Sequence, residues 1–285
     1  MKGYCTLLII GFSLLLQTDR VQAFQTQIWP EEIYPGEAFI VRVTDAGYSS
    51  PLYAKVSKRK LQFSMCGKSC YIAVGAIDLQ TKPGIQKISL RAGMATRELT
   101  LKILQPHYPV QELTLPKEKV FLNSENLKRV RKEQQMVQTL FQGVSEKMWE
   151  GRFILPLRNS ISTEFGTRRL LNKELKSVHR GVDIRGKEGE HVRAANTGKV
   201  VLVENLFYGG NTVILDHGQG IYSLYMHLSG FNVALNENVS KGSIIGFVGS
   251  TGRATGPHLH FGIKVLTVSV NPISFTKLAF DKEGI

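Results

Sequence analysis

"GRATGPHLHFGI", residues 252–263, runs from a glycine-rich loop into what reads as a strand. In an extended chain His258 and His260 project from one face, about 6 to 7 Å apart at their Cα atoms. The chain has only seven histidines, so placing two on one face points to a shared task.

Around this stretch the chain is patterned as β-structure from Phe153 onward. "HVRAANTGKVVLVE" (191–204), "GNTVILDHGQGIYSLYMHL" (210–228), "GSIIGFVG" (242–249) and "HLHFGIKVL" (258–266) read as hairpin strands joined by long, glycine-rich loops. Six of the seven histidines lie in this part, which we take as a domain over 153–276, with a tail at 277–285. Residues 24–105 alternate in shorter runs, among them "AFIVRV", "LYAKV", "CYIAVGAI" and "RELTLKIL". Pro35-Gly36 and Pro83-Gly84 punctuate these runs, which suits a small all-β sandwich. Between the two, residues 106–152 form a linker. There Leu127, Val130, Val137, Leu140, Phe141, Val144 and Met148 recur at helical spacing, predicting an amphipathic helix from Asn123 to Gly151.

The 285 residues, 42% of them apolar, suffice for two domains with their own cores. A net charge of +13 favours a polyanionic partner, which could be nucleic acid, anionic lipid or an acidic wall polymer. No nucleic-acid-binding motif accompanies the charge. Lys2, an apolar run from Leu7 to Leu16 and a polar stretch ending at Ala23 have the layout of an export signal over residues 1–23. Ten apolar residues would rise only about 15 Å as a helix, half of a hydrocarbon core. No stable membrane span is therefore expected after cleavage, and the oligomeric state stays open. Cys5 would leave with the signal, and Cys66 and Cys70 then flank Gly67-Lys68-Ser69, a turn-like trio. In an oxidising compartment that pair is a disulfide candidate.

Three segments carry metal-binding chemistry. "SVHRGVDIRG" holds His179 and Asp183, "SLYMHLSG" holds His227, and "GPHLHF" holds His258 and His260. Histidine and aspartate are ordinary zinc ligands, and a catalytic zinc usually takes three protein ligands and keeps one open position. Four extended residues span roughly 13 Å, so His179 and Asp183 share an ion only across a bend, which Gly181 permits. Either or both histidines of the His-Leu-His pair could serve as ligands. His107, His191 and His217 fall in a linker, at a strand start and at a turn, where structural roles are expected.

These segments, with "KGSIIGFVGSTGRATGPHLHFGI" and "VNPISF", make residues 153–275 resemble the lysostaphin and LytM family of zinc endopeptidases, which cut peptide cross-links of bacterial peptidoglycan. The resemblance implies an all-β antiparallel domain of the duplicated hybrid motif type. It implies one zinc ion held by His179, Asp183 and His260, with His227 and His258 as the catalytic histidines that do not bind metal. It also implies peptidoglycan peptide stems as substrate and a periplasmic, envelope-associated or secreted location. Residues 24–105 resemble, less specifically, the immunoglobulin-like domain that precedes the peptidase in some exported members. Two departures stand out: His191 replaces a common proline, and residues 153–178 contain no tyrosine where some members carry one. The alternatives are a non-enzymatic peptidoglycan-binding regulator of other wall hydrolases, and a structural β protein whose histidines merely pack. The bond cleaved, the presence of an outer membrane and any blocking of the cleft by the first domain are not fixed by the sequence.

Overall fold

The computed structural model describes residues 24–45, 52–114, 122–171 and 175–280. The expected export signal, with Cys5, lies outside them. Among the described residues, no helix is long and apolar enough to cross a membrane.

Residues 25–103 form two facing sheets. One contains Gln25–Trp29, Ala38–Thr44, Cys70–Ala76 and Phe63–Gly67; the other contains Glu32–Ile33, Ala95–Ile103, Gly84–Ala92, Leu52–Val56 and Arg59–Leu61. Phe39, Val41, Val43 and Ala73 from the first sheet meet Val56, Ile88, Leu90 and Leu101 from the second in one apolar layer. The alternate residues Ala38, Ile40, Ile72, Val74 and Ala76 are also buried, but in a different core. A sheet that is apolar on both faces must be covered on both, and the C-terminal domain provides the second cover. Cys66 and Cys70 are joined by a disulfide across the hairpin turn, with Cα atoms 5.1 Å apart.

The C-terminal domain is built on an antiparallel sheet in the order Ile161–Thr163, Val182–Arg185, His258–Val265, Ile221–Phe231, Gly210–Gly218, Gly198–Leu206 and Asn238–Val239. Its long central hairpin turns through Gln219 (φ 56°) and Gly220 (φ 74°), the left-handed pair that matches the twist of the flanking strands. One face buries Val213, Leu215, Tyr225, Leu259, Phe261 and Ile263 against Phe153, Phe275 and the outer face of the first domain. The opposite face is divided. Ile214, Tyr222 and Leu224 pack under Phe141 at one end, and the histidines occupy the other. A small third sheet pairs Val110–Leu113, from the expected linker, in parallel with Arg168–Leu171, which pairs in turn with Leu175–Val178.

The connector helix, α1, covers Ser124–Leu140 and stops eleven residues short of the predicted end. Asn123 caps its start by accepting from the Asn126 N–H at 2.8 Å. Beyond Phe141 the chain leaves the helix at Gly143 and lies across the sheet as a strap. The N–H groups of Met148 and Trp149 donate to the His217 carbonyl, and Tyr222 donates to the Gly143 carbonyl at 2.9 Å. A Cβ on Gly218 would sit 1.9 Å from the Glu146 carbonyl oxygen, so the strap needs glycine there. The helical spacing of Val144 and Met148 was overridden by these contacts and by Trp149, which is buried against Phe280 with ring centroids 4.8 Å apart.

Under the strap, His217 is wholly buried in a hydrogen-bond chain. Its Nδ1–H donates to the Thr197 carbonyl at 2.8 Å. Its Nε2 lies 2.7 Å from Ser223 Oγ, which is 2.9 Å from the Tyr225 hydroxyl. Burial pushes the His217 pKa down to about 4, which keeps the imidazole neutral near pH 7. The unfolded chain keeps the ordinary histidine value, near 6.5. Between those two values the unfolded state binds more protons, so stability must fall as pH drops through the window. We expect His217 to remove up to about 3 kcal/mol between pH 7 and pH 4. Unfolding of the wild type and His217→Gln across that range checks this, and equal pH slopes would exclude it.

Candidate active site

The strand Val182–Arg185 pairs antiparallel with His258–Val265 so that Asp183 faces His260 and Arg185 faces His258. Directly opposed residues share a face, as do residues two apart on one strand. All four side chains therefore stand on the divided face, while Ile184, Leu259 and Phe261 are fully buried on the other. His179 arrives from the bend just before Val182, with its backbone N–H held by the Thr167 carbonyl. Gly181 serves this bend, and it also leaves room for a ring. A Cβ there would meet the His260 ring nitrogen at 2.7 Å and the Phe261 carbonyl at 2.5 Å.

Three ligand-capable atoms converge. His179 Nε2 is 2.9 Å from both Asp183 Oδ1 and His260 Nδ1, and His260 Nδ1 is 2.8 Å from the same carboxylate oxygen. His179 donates its Nδ1–H to the Glu164 carbonyl at 2.9 Å, which leaves a lone pair on Nε2. A lone pair, a carboxylate and a second imidazole cannot all satisfy one another. A shared proton or a cation must lie between them. Three ligands at about 2 Å from a tetrahedral zinc would stand roughly 3.3 Å apart, close to the spacing found here. The donor set, two imidazoles and one carboxylate, fits zinc in number and type.

The surroundings fix the set. Arg169 donates to Asp183 Oδ2 at 2.5 Å, leaving Oδ1 to the cluster. Burial alone would raise the Asp183 carboxyl, but the hydrogen bonds and charges of His179 and His260 outweigh it and hold the group far below the usual carboxylate range. Burial likewise pushes His260 down, and the hydrogen bond to Asp183 only partly opposes this.

Two further imidazoles face the cluster. His258 donates Nδ1–H to the Gly256 carbonyl at 2.8 Å and holds Nε2 3.9 Å from Asp183 Oδ1. His227 donates Nδ1–H to the Thr251 carbonyl at 2.9 Å, and its ring lies 4.8 Å from that of His258. Its own strand would not place it there. Met226 already opposes His260, so the next residue should turn into the core. A left-handed backbone at His227 (φ 65°) breaks the alternation and swings the ring back to the cluster. Such a conformation at a residue other than glycine is locally strained, and surrounding contacts must hold it. The Thr251 anchor and the bond from the His227 N–H to the Gly209 carbonyl at 2.7 Å do so. Burial, with His260 and His258 nearby, pushes the His227 pKa down to about 3. This ring is therefore neutral near pH 7, with Nε2 open to accept a proton.

The cluster sits at the floor of a cleft of about 430 Å³, walled by Gln111, Ser162, Arg169, Arg185, Arg253 and the Ala254–Pro257 loop. A larger depression, of about 1070 Å³, lies elsewhere beside His191 and contains none of the cluster. His217 and His107 also lie apart from the cleft lining. Sequence reading missed Arg169 and Thr251. Nothing local marks them, since each acts on a residue that only the sheet brings near.

Residues 177–272 match the model of Peptidase family M23. Over 114 residues the chain is 41% identical to the DD-carboxypeptidase/endopeptidase Mpg of Neisseria meningitidis, covering 40% of this chain and 26% of that protein. It is 40% identical over 113 residues to the peptidoglycan DD-endopeptidase ShyA of Vibrio cholerae, and 41% identical over 114 to lysostaphin of Staphylococcus simulans. These cover 39% and 38% of this chain, and 26% and 23% of the two relatives. The chain thus spans about a quarter of the length of these curated relatives. A crystal structure of a Pseudomonas aeruginosa protein assigned to peptidase M23 superposes with a TM-score of 0.68 at 29% identity, covering 85% of this chain and 94% of that one. That likeness extends through the first domain as well as the second. Residues 177–272 of this chain form a domain of peptidase family M23.

Proposed function

We propose that the chain is an exported, zinc-dependent endopeptidase that hydrolyses peptide cross-links of bacterial peptidoglycan. The observation that carries this reading is the convergence of His179 Nε2, Asp183 Oδ1 and His260 Nδ1 beneath two imidazoles with outward Nε2 atoms. Relatives named as peptidoglycan endopeptidases support the substrate class. Export rests on the signal-like residues 1–23, and we assign the peptidase unit to residues 153–276. A purely wall-binding role would leave five converged side chains, three of them imidazoles with carbonyl-fixed tautomers, without a shared purpose.

His179, Asp183 and His260 would hold the ion, which when bound supplies Lewis-acid polarisation and an acidified water. Arg169, on the free oxygen of Asp183, orients that carboxylate. His258 Nε2 and His227 Nε2 face the same space as bases, because carbonyls occupy both of their Nδ1–H groups. One takes a proton from the attacking water and passes it to the departing amine. The other, once protonated, donates its Nε2–H to the negative oxygen that develops on the scissile carbonyl. No glutamate is among the described residues that line the cleft, which supports assigning the base to a histidine.

Digestion of purified peptidoglycan by residues 24–285 with zinc, read by mass spectrometry, should release un-cross-linked stem peptides. Intact cross-links would refute the proposal. Single substitutions separate the roles. His179→Ala, Asp183→Ala and His260→Ala should lose zinc and activity together. His258→Ala and His227→Ala should keep near-stoichiometric zinc and lose about 10² to 10⁴ in rate. Loss of metal from His258→Ala with retention in His260→Ala would reverse the assignment. Arg169→Leu should weaken zinc binding by about 10- to 100-fold.

A further inference from the structure

The cleft is positively charged to a degree that the hydrolytic residues do not require. Its wall carries Arg169, Arg185 and Arg253, while Asp183 is the one carboxylate among the described lining residues. The Arg253 guanidinium lies over the Tyr208 ring, 4.2 Å from its centroid, and no carboxylate pairs with it or with Arg185 among the described residues. Burial lowers the Arg253 pKa, and the neighbouring Arg169 charge lowers it further, so two guanidiniums share one half-buried region. Arg169 satisfies Asp183 through one terminal nitrogen, yet its Nε is buried without a hydrogen-bond partner.

Each feature is unfavourable in the free protein. A buried guanidinium N–H without an acceptor is costly, and so are like charges held close together away from water. A planar anion with two oxygens in the cleft would relieve the crowding of like charges, since guanidinium forks match carboxylates. The position limits which carboxylate can serve. Arg185 is directly opposite His258 in the strand pairing, so the cationic wall begins one residue pair from the hydrolytic centre.

We propose that Arg253 and Arg185 form a subsite that binds a substrate carboxylate beside the scissile amide. This rests on the peptidase reading above and narrows it. The preferred substrate is an anionic cross-linked stem peptide, and an uncharged glycine bridge offers this wall nothing to bind. Two carboxylates of a stem could fill the subsite. One is on the carbon that bears the scissile nitrogen, as in a diamino-acid cross-link; the other is the terminal α-carboxylate.

Three synthetic cross-linked peptides test this with the zinc-loaded chain: one with both carboxylates free, and two with one or the other converted to its carboxamide. Amidation at the occupying position should lower kcat/KM by about 10- to 100-fold, chiefly through KM, and weaken binding in calorimetry to a similar degree. The position whose amidation has this effect identifies the carboxylate. Arg253→Gln and Arg185→Gln should weaken the free acid's binding and shrink that ratio toward one, and Arg253→Lys should recover only part of it. Equal kcat/KM and equal binding for all three peptides would overturn the subsite, whatever the variants do. If no peptide is cleaved, the peptidase reading fails, and the calorimetric ratio still decides the subsite: unequal binding upholds it, and equal binding overturns it.

Discussion

The register between Val182–Arg185 and His258–Val265 is the constraint on which the rest of the site depends. It places Asp183 against His260 and Arg185 against His258. Side chains alternate along a strand, so a slip of one residue would send Leu259 and Phe261 into the cleft and bury both histidines. Burial of Leu259, Phe261 and Ile263 under the main core opposes such a slip. Each of these side chains contributes about 1.5 to 3 kcal/mol when buried, so the apolar face enforces the geometry of the polar one. Metal affinity is thereby tied to core packing. An overpacked residue at 259 or 261 would disturb the ligand set without touching it.

Around that register, the site departs from regular strand geometry where function requires it. His179 stands before the strand begins, and Gly181 supplies the space for the His260 ring. His227 leaves the alternation through a left-handed backbone. The cost is met by the Gly209 and Thr251 carbonyls, which bind its backbone N–H and Nδ1–H. Thr251 is itself tied down, donating its hydroxyl to the Leu228 carbonyl and accepting the Asn211 N–H. His179, His227 and His258 thus reach the cleft with their tautomers decided by a carbonyl behind each ring.

What the sequence disclosed follows from the range of the forces involved. The His-Leu-His pair was legible because a period of two is a local property, and the central hairpin because its turn is glycine-rich. Two-sided burial of Ala38–Thr44 and Cys70–Ala76 was visible only as mostly apolar runs, which did not say what covered the second face. The helix over-ran in prediction because its apolar spacing continues through Val144 and Met148. The sheet claims Met148 through the His217 carbonyl, 69 positions away. Arg169 was invisible for the same reason. It reaches Asp183 from a separate small sheet, and no motif surrounds "TRRLL".

That small sheet also joins the two domains mechanically. Val110–Leu113, just after the last strand of the sandwich, pairs with Arg168–Leu171, and the same two strands bring Gln111 and Arg169 to the cleft wall. The outer face of the sandwich shares one apolar core with Phe153, Phe275 and Phe280, and the Asn271 N–H donates to the Gly36 carbonyl at 2.7 Å. A contact of this kind resists sliding, because packed side chains lose attraction steeply with small gaps. The first domain therefore acts as a fixed support for one wall of the cleft. The position of the Arg169 guanidinium, and with it the orientation of the Asp183 carboxylate, is set by packing on both sides of the domain junction.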